Sequence, residues 1–155
     1  MRKAWTYCFI GLVAALLGGC MGKVPLASPD QVNTAKQFNL PPQDKIGLYI
    51  YRDERFGGIV KKNLFIDKQL LGPTIYKTFY YVILNPGKHL IETESETGNN
   101  FIEINTTGGR NYFVKQEIKA GVLLGRAIVY QVLDEIQAKK AIKDLDLAQN
   151  SKIFK

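Results

Sequence analysis

Between Lys45 and about Val132 apolar and polar residues alternate in short runs, each closed by turn residues, and this excludes most architectures. Successive side chains of a strand point to opposite faces, so a period of two predicts sheet rather than helix. Ile46, Leu48 and Ile50 point one way, Tyr49 and Tyr51 the other. Asn63 to Ile66 leads into a tight reversal at Asp67-Lys68-Gln69, and Leu70-Leu71-Gly72-Pro73 ends the return arm. Thr78 to Leu84 is β-branched and aromatic, and it stops at Asn85-Pro86-Gly87, turn chemistry that predicts a hairpin into His89 to Glu94. Phe101 to Asn105, Tyr112 to Ile118 and Ala127 to Val132 supply further strands, with Gly98, Gly108, Gly109, Gly121 and Gly125 in the turns. About seven short strands at this spacing predict a mainly β fold, a small β-sandwich, with Leu48 and Val114 inward.

The period changes after Val132. Asp134 followed by Gln137 is a capping-box pattern, and Ala138, Ala141, Ile142 and Leu145 recur at helical spacing, predicting a C-terminal helix on the sandwich. Residues 43–147 are therefore expected to form the domain, with a C-terminal tail over 148–155. Residues 20–42 read as a tether: Pro25, Pro29, Pro41 and Pro42 punctuate it and large apolar residues are sparse. Within it, Ser28 is expected to cap a short helix from Pro29 to about Lys36. Fully extended, such a tether reaches roughly 70 Å.

Residues 1–19 have a different logic. Arg2 and Lys3 precede an apolar run from about Trp5 to Leu17, and Gly18-Gly19-Cys20 follows. The run is about 13 residues, short of the roughly 20 that span a bilayer, and reads as a signal peptide. Leu17-Gly18-Gly19-Cys20 resembles the lipobox of bacterial lipoproteins. That resemblance implies cleavage between Gly19 and Cys20, with Cys20 carrying diacylglycerol on its sulfur and an acyl chain such as palmitate on its amine. The membrane is then a partner through the N-terminal lipid. Met21 stands where lipoproteins kept in the inner membrane commonly have Asp, so the expected address is the outer membrane, facing the periplasm.

Cys8 lies within the signal, so Cys20 is the mature chain's single cysteine; no intramolecular disulfide can form and a cysteine-rich metal site is excluded. The net charge of +7 falls to +5 without Arg2 and Lys3. Lys61-Lys62 and Lys139-Lys140 are the only adjacent basic pairs in the mature chain, a scatter unlike a nucleic-acid footprint.

No catalytic set emerges. His89 is the one histidine and follows a turn, where a solvated ring is expected. Gly57-Gly58 and Gly108-Gly109 open strands or turns rather than helices, so no phosphate loop is present; Gly121 to Gly125 reads as a loop. Glu92, Glu94 and Glu96 fall on one face at strand period, either oxygen ligands for a hard cation or, more plainly, a charged edge that discourages strand pairing. No metal or other cofactor is expected. Tyr76, Tyr80 and Tyr81 offer a stacking face, or are half core. Arg52, Arg55 and Phe56, beside Gly57 and Gly58, make the candidate interaction surface for a carboxylate, phosphate or sugar, unless Asp53 and Glu54 pair with the arginines.

Ile50-Tyr51-Arg52, Arg55-Phe56-Gly57-Gly58, the Asp67 reversal, Asn85-Pro86-Gly87-Lys88-His89, Tyr112 to Glu117 and Gly125-Arg126-Ala127 occur in this order. The string resembles a bacterial lipoprotein family known only as a domain of unknown function, over about residues 45–147. Its Pro-Gly-Lys-His turn also looks like the PEGA-type β-sandwich module of cell-surface proteins, although Lys68 stands where that module has Gly, against a type I′ turn. The resemblance implies a membrane-anchored sandwich and brings no catalytic residues. The expected function is non-enzymatic binding or scaffolding of an envelope protein or cell-wall glycan. The alternatives are an assembly factor of a secretion or envelope machine, and an enzyme acting on cell wall or lipid through surface carboxylates.

Overall fold

All seven residues of β1 (Ile46–Arg52) are buried, on both faces, and the architecture follows from that. The computed structural model describes residues 23–122 and 125–150; the expected signal over residues 1–19 and the expected lipidation site Cys20 lie outside the described residues. After α1 (Pro29–Ala35) and β1 come β2 (Lys62–Ile66), β3 (Gln69–Thr74), β4 (Thr78–Leu84), β5 (Gly87–Ser95), β6 (Gly98–Thr106), β7 (Arg110–Lys119), β8 (Arg126–Gln131), α2 (Glu135–Lys143) and β9 (Asp146–Leu147). One sheet runs β8-β7-β1-β4-β9 and the other β3-β2-β5-β6. The chain is mainly β, a small two-sheet sandwich with a C-terminal helix; nine strands among the described residues replace the expected seven or so.

Ile46, Leu48, Ile50, Val82 and Val114 face Leu64, Ile66, Leu71, Ile91 and Ile104 of the second sheet, and each of them is almost fully buried. Leu48 and Val114 are inward as the alternation requires. Tyr49, Tyr51, Phe79 and Phe113 point the other way, yet they too are buried, because Ala138 and Ile142 of α2 and Ala35 of α1 cover them. Tyr49 stacks on Tyr81 at 4.4 Å and on Phe113 at 5.2 Å between ring centroids, and its hydroxyl donates to the Ala35 carbonyl. Alternation alone reads this second face as solvated; the helices make it a second core.

The tether expectation fails from Val24 onward. Val24 is buried in the inter-sheet core, Leu26 bridges Ala148 antiparallel, and Ala27 donates to the Leu147 carbonyl. Ser28 does cap α1 with a reciprocal Gln31 bond and Pro29 at its start. The tail is also part of the fold as far as Asn150: β9 runs parallel to β4, Ala148 is buried and Asn150 donates to the Tyr81 carbonyl. Asp134 caps α2 by accepting from the Gln137 amide, and Leu145, beyond the last turn, stays buried.

The hairpin expected at Asn85-Pro86-Gly87 is overturned. β4 pairs with β1 and β9, β5 with β2 and β6, so these residues carry the chain from one sheet to the other. Their turn chemistry bends the backbone without choosing a partner strand. The Asp67-Lys68 reversal is a two-residue hairpin in which both residues are left-handed, φ 51° and 67°, as a type I′ turn demands even with Lys in the glycine position. Asp67 offsets that strain: its carboxylate accepts from the Leu90 amide at 2.9 Å and meets His89 Nδ1 at 2.8 Å.

Candidate functional site

Leu48, Ile50 and Arg52 share one face of β1, so the guanidinium of Arg52 enters the interior, where the side chain is fully buried. There it makes a three-way clamp. Nη2 donates to the Gly57 carbonyl at 2.6 Å, Nη1 to the Val60 carbonyl at 2.8 Å and Nε to Glu54 Oε1 at 3.2 Å. Glu54 Oε1 also accepts from the Ile118 amide, tying the loop to β7. Burial pulls the Arg52 pKa down and pushes the Glu54 pKa up, and each partner's charge opposes the other's shift. The expectation that Arg52 contacts a partner is therefore corrected: its fork is spent on the loop that follows it.

That loop is rigid. Gly58 donates to Arg55, Val60 to Gly57, Tyr76 to Gly58 and Lys77 to Arg52, all backbone to backbone. Gly57 has φ 63°, and a Cβ there would sit 3.0 Å from the Ile118 side chain, so no other residue fits without strain. The clamp holds Phe56 and Ile59 outward, 57% and 76% exposed, at the same end of the sandwich as Val122 at 91%. Arg55 is on the surface, its Nε 3.4 Å from the Tyr76 hydroxyl. Arg55 and Phe56 thus share a preorganised, partly apolar, cationic edge.

Asp53, the other acid of the loop, turns toward the helix face. It pairs with Lys115 Nζ at 2.9 Å; Lys115 also reaches Glu117 at 3.3 Å, Lys119 pairs with Glu117, and the Tyr130 hydroxyl donates to Glu117 at 2.7 Å. Burial works against the Glu117 carboxylate, but the bonds from Lys119, Tyr130 and Lys115 outweigh it and bring its pKa down to about 2. Lys115 is pushed the other way: burial disfavours its charge, and Asp53 and Glu117 more than restore it. The network borders a cavity of about 290 Å³ that Tyr51, Asp134 and Gln137 also line. Every charge in it has a partner, so the arrangement braces β1 against β7 and β8.

A model of the family described as "Protein of unknown function (DUF2846)" matches residues 42–127. The chain belongs to the DUF2846 family. The DUF2846 match runs from just before β1 to the start of β8, and so contains the Arg52 clamp, the Asp67 hairpin and Lys115. An uncharacterized protein of Haemophilus influenzae is 45% identical over 136 residues, which is 88% of this chain and 80% of that one. No solved structure matches this chain.

The remaining candidates fall outside the Arg52 loop of this DUF2846 chain. His89 is corrected from a solvated ring to a buried one, 8% exposed, with Nδ1 on Asp67 and Nε2 2.9 Å from the Asn85 carbonyl. The crossing between sheets folds over it. Glu94 accepts from the Asn63 amide and Glu96 from the Val122 amide, so these carboxylates hold backbone in place; among the described residues no cluster has the makings of a metal site. Tyr80 is core and donates to the Pro73 carbonyl, Tyr81 lies under the helices, and Tyr76 alone is at the loop end. Sequence reasoning missed the Lys115 network, although Phe113, Lys115 and Glu117 share one face of β7 beside Tyr51 and Asp53. Period two carried that signal.

Proposed function

We propose that this protein is a lipid-anchored component of the bacterial cell envelope, held by Cys20 in the outer membrane and facing the periplasm, that binds or scaffolds an envelope partner without catalysing a reaction. One observation carries the binding reading. A fully buried arginine is spent on rigidifying a loop whose Phe56, Ile59 and Arg55 have no role in the core. Preorganised aromatic and arginine side chains at an exposed edge are what recognition uses most, because little freedom is lost on contact. The engagement of His89 on both ring nitrogens supports a non-enzymatic role. The export signal ending at Cys20 supports the anchor, and the two-sheet fold suits a PEGA-like module.

Cys20→Ala is expected to abolish fatty-acid labelling and leave an uncleaved precursor; normal labelling overturns the anchor. For the loop, Arg55→Ala and Phe56→Ser are expected to lower partner recovery from crosslinked membranes while the melting temperature stays put. A lost charge-assisted contact is worth about 1.5–3 kcal/mol, a drop of roughly 10- to 150-fold in affinity. Unchanged recovery with both substitutions removes this loop as the working face.

A further inference from the structure

We infer that the domain lies flush on an anionic lipid surface through the end of the sandwich formed by Leu40, Lys45 and Arg110, and that the Arg52 loop points away from the bilayer. The inference rests on the anchor at Cys20 and adds the direction in which the domain faces.

The argument starts from chain direction. β9 is parallel to β4, with Asp146 beside Thr78 and Leu147 beside Phe79. The segment around Leu26 is antiparallel to β9: Ala27 donates to Leu147, and Gln149 to Pro25. Going back from Ala27 to Lys23 the chain therefore runs in the direction of β4, toward Leu84. Leu84 pairs with Ile46, and Ile46 with Arg110, so Lys23 leaves the fold at that end. Val24 is buried in the core, so nothing after it is free to act as leash. Three peptide steps separate Cys20 from Lys23, at most about 11 Å in any conformation. The roughly 70 Å stand-off allowed by an open tether is lost.

The exit end suits a headgroup layer. Leu40 is 70% exposed there, because Asn111 holds the preceding turn by donating to the Phe38 and Asn39 carbonyls beside Gly47. Lys45, Lys88 and Arg110 belong to the same end by strand register, with Lys23 leaving the fold there; Asp44 and Asn85 hold Lys45, and Glu103 pairs with Lys88. Leu40 and the half-exposed Ile83, next to Leu84, are a weak interfacial anchor on their own and an adequate one beside a lipid. From Ile46 to Arg52, β1 rises about 20 Å, so Phe56 and Ile59 stand a strand length farther from the surface. The partner they meet lies in the aqueous layer rather than in the membrane that holds the anchor.

The test uses lipidated protein in phosphatidylethanolamine–phosphatidylglycerol vesicles. Leu40→Cys, Arg110→Cys, Ile59→Cys and Val122→Cys, all exposed positions, are labelled singly with a fluorophore, and a quencher is attached to lipid headgroups. The expected result is loss of fluorescence at 40 and 110 and retention at 59 and 122, with the contrast erased when a long Gly/Ser segment is inserted after Met21. Equal quenching at both ends, or the reverse order, in protein that floats with the vesicles overturns the orientation and leaves the anchor standing. Protein that carries no acyl label and does not float overturns both.

Discussion

The Thr93 hydroxyl accepts a 2.6 Å hydrogen bond from the Gln116 amide across the space between the two sheets. Gln116 also accepts from Thr74, whose hydroxyl reaches the Lys62 carbonyl as well, and all three side chains are almost wholly buried. This small polar bridge joins β7 to β3 and β5 inside an otherwise apolar core. Gln116→Ala takes away the donor to the Thr93 hydroxyl and one of the two acceptors of the Thr74 hydroxyl, and is expected to cost about 1–3 kcal/mol in urea unfolding. Replacing all three at once, Gln116→Leu with Thr74→Val and Thr93→Val, is expected to recover most of that, because the buried side-chain polar groups leave together and only the Lys62 carbonyl loses a donor. A triple variant as unstable as the single one rejects this account.

Arg52→Ala removes the charge that compensates Glu54 and frees the Gly57 and Val60 carbonyls. The expected destabilisation is about 3–5 kcal/mol, typical of breaking a buried pair from one side. Arg52→Lys is expected to restore less than half, since an ammonium cannot serve three acceptors in a planar fork. Limited proteolysis within residues 53–60 reports the loop directly, and resistance equal to wild type argues against the clamp.

Leu48→Ala is expected to cost about 2–5 kcal/mol. Lys61→Ala, on the surface just before β2, is expected to stay within about 0.5 kcal/mol. Similar melting temperatures for the two variants contradict the inward assignment of Leu48.

Glu117 gives the fold an acid-sensitive contribution. Its folded pKa of about 2 lies below the usual 4.5, so the stabilisation is complete above 4.5 and is lost as pH falls toward 2. Glu117→Gln lacks it. Melting temperatures of wild type and variant are expected to differ by a constant amount from neutrality down to about 4.5, then to converge over the next two or so units. Parallel curves throughout that range place the effect elsewhere.

Much of the fold is legible where local chemistry and global structure agree. The runs that became β1 to β8 alternate, Ser28 and Asp134 cap the helices they precede, and Asp67-Lys68 reverses the chain. What escaped depends on partners far away in sequence. Tyr49 and Tyr51 look half-solvated until α1 and α2 are laid over them. Asn85-Pro86-Gly87 announces a bend but not which sheet receives β5, and β9 is too short to have a period. In the candidate site, Arg52 shares the inward face of Leu48 and Ile50, so its burial was readable; the habit of placing arginine in solvent hid it.

The pairing of Leu26 with Ala148 joins stretches from opposite ends of the described chain. Contacts so far apart in sequence slow folding, because the chain between them must be closed before they reward it. Until residues 146–149 dock, β4 has a bare edge of unpaired amides and carbonyls, a template for a strand of another molecule. A handful of residues after α2 therefore decide whether that edge is closed within the molecule or left open to a neighbour.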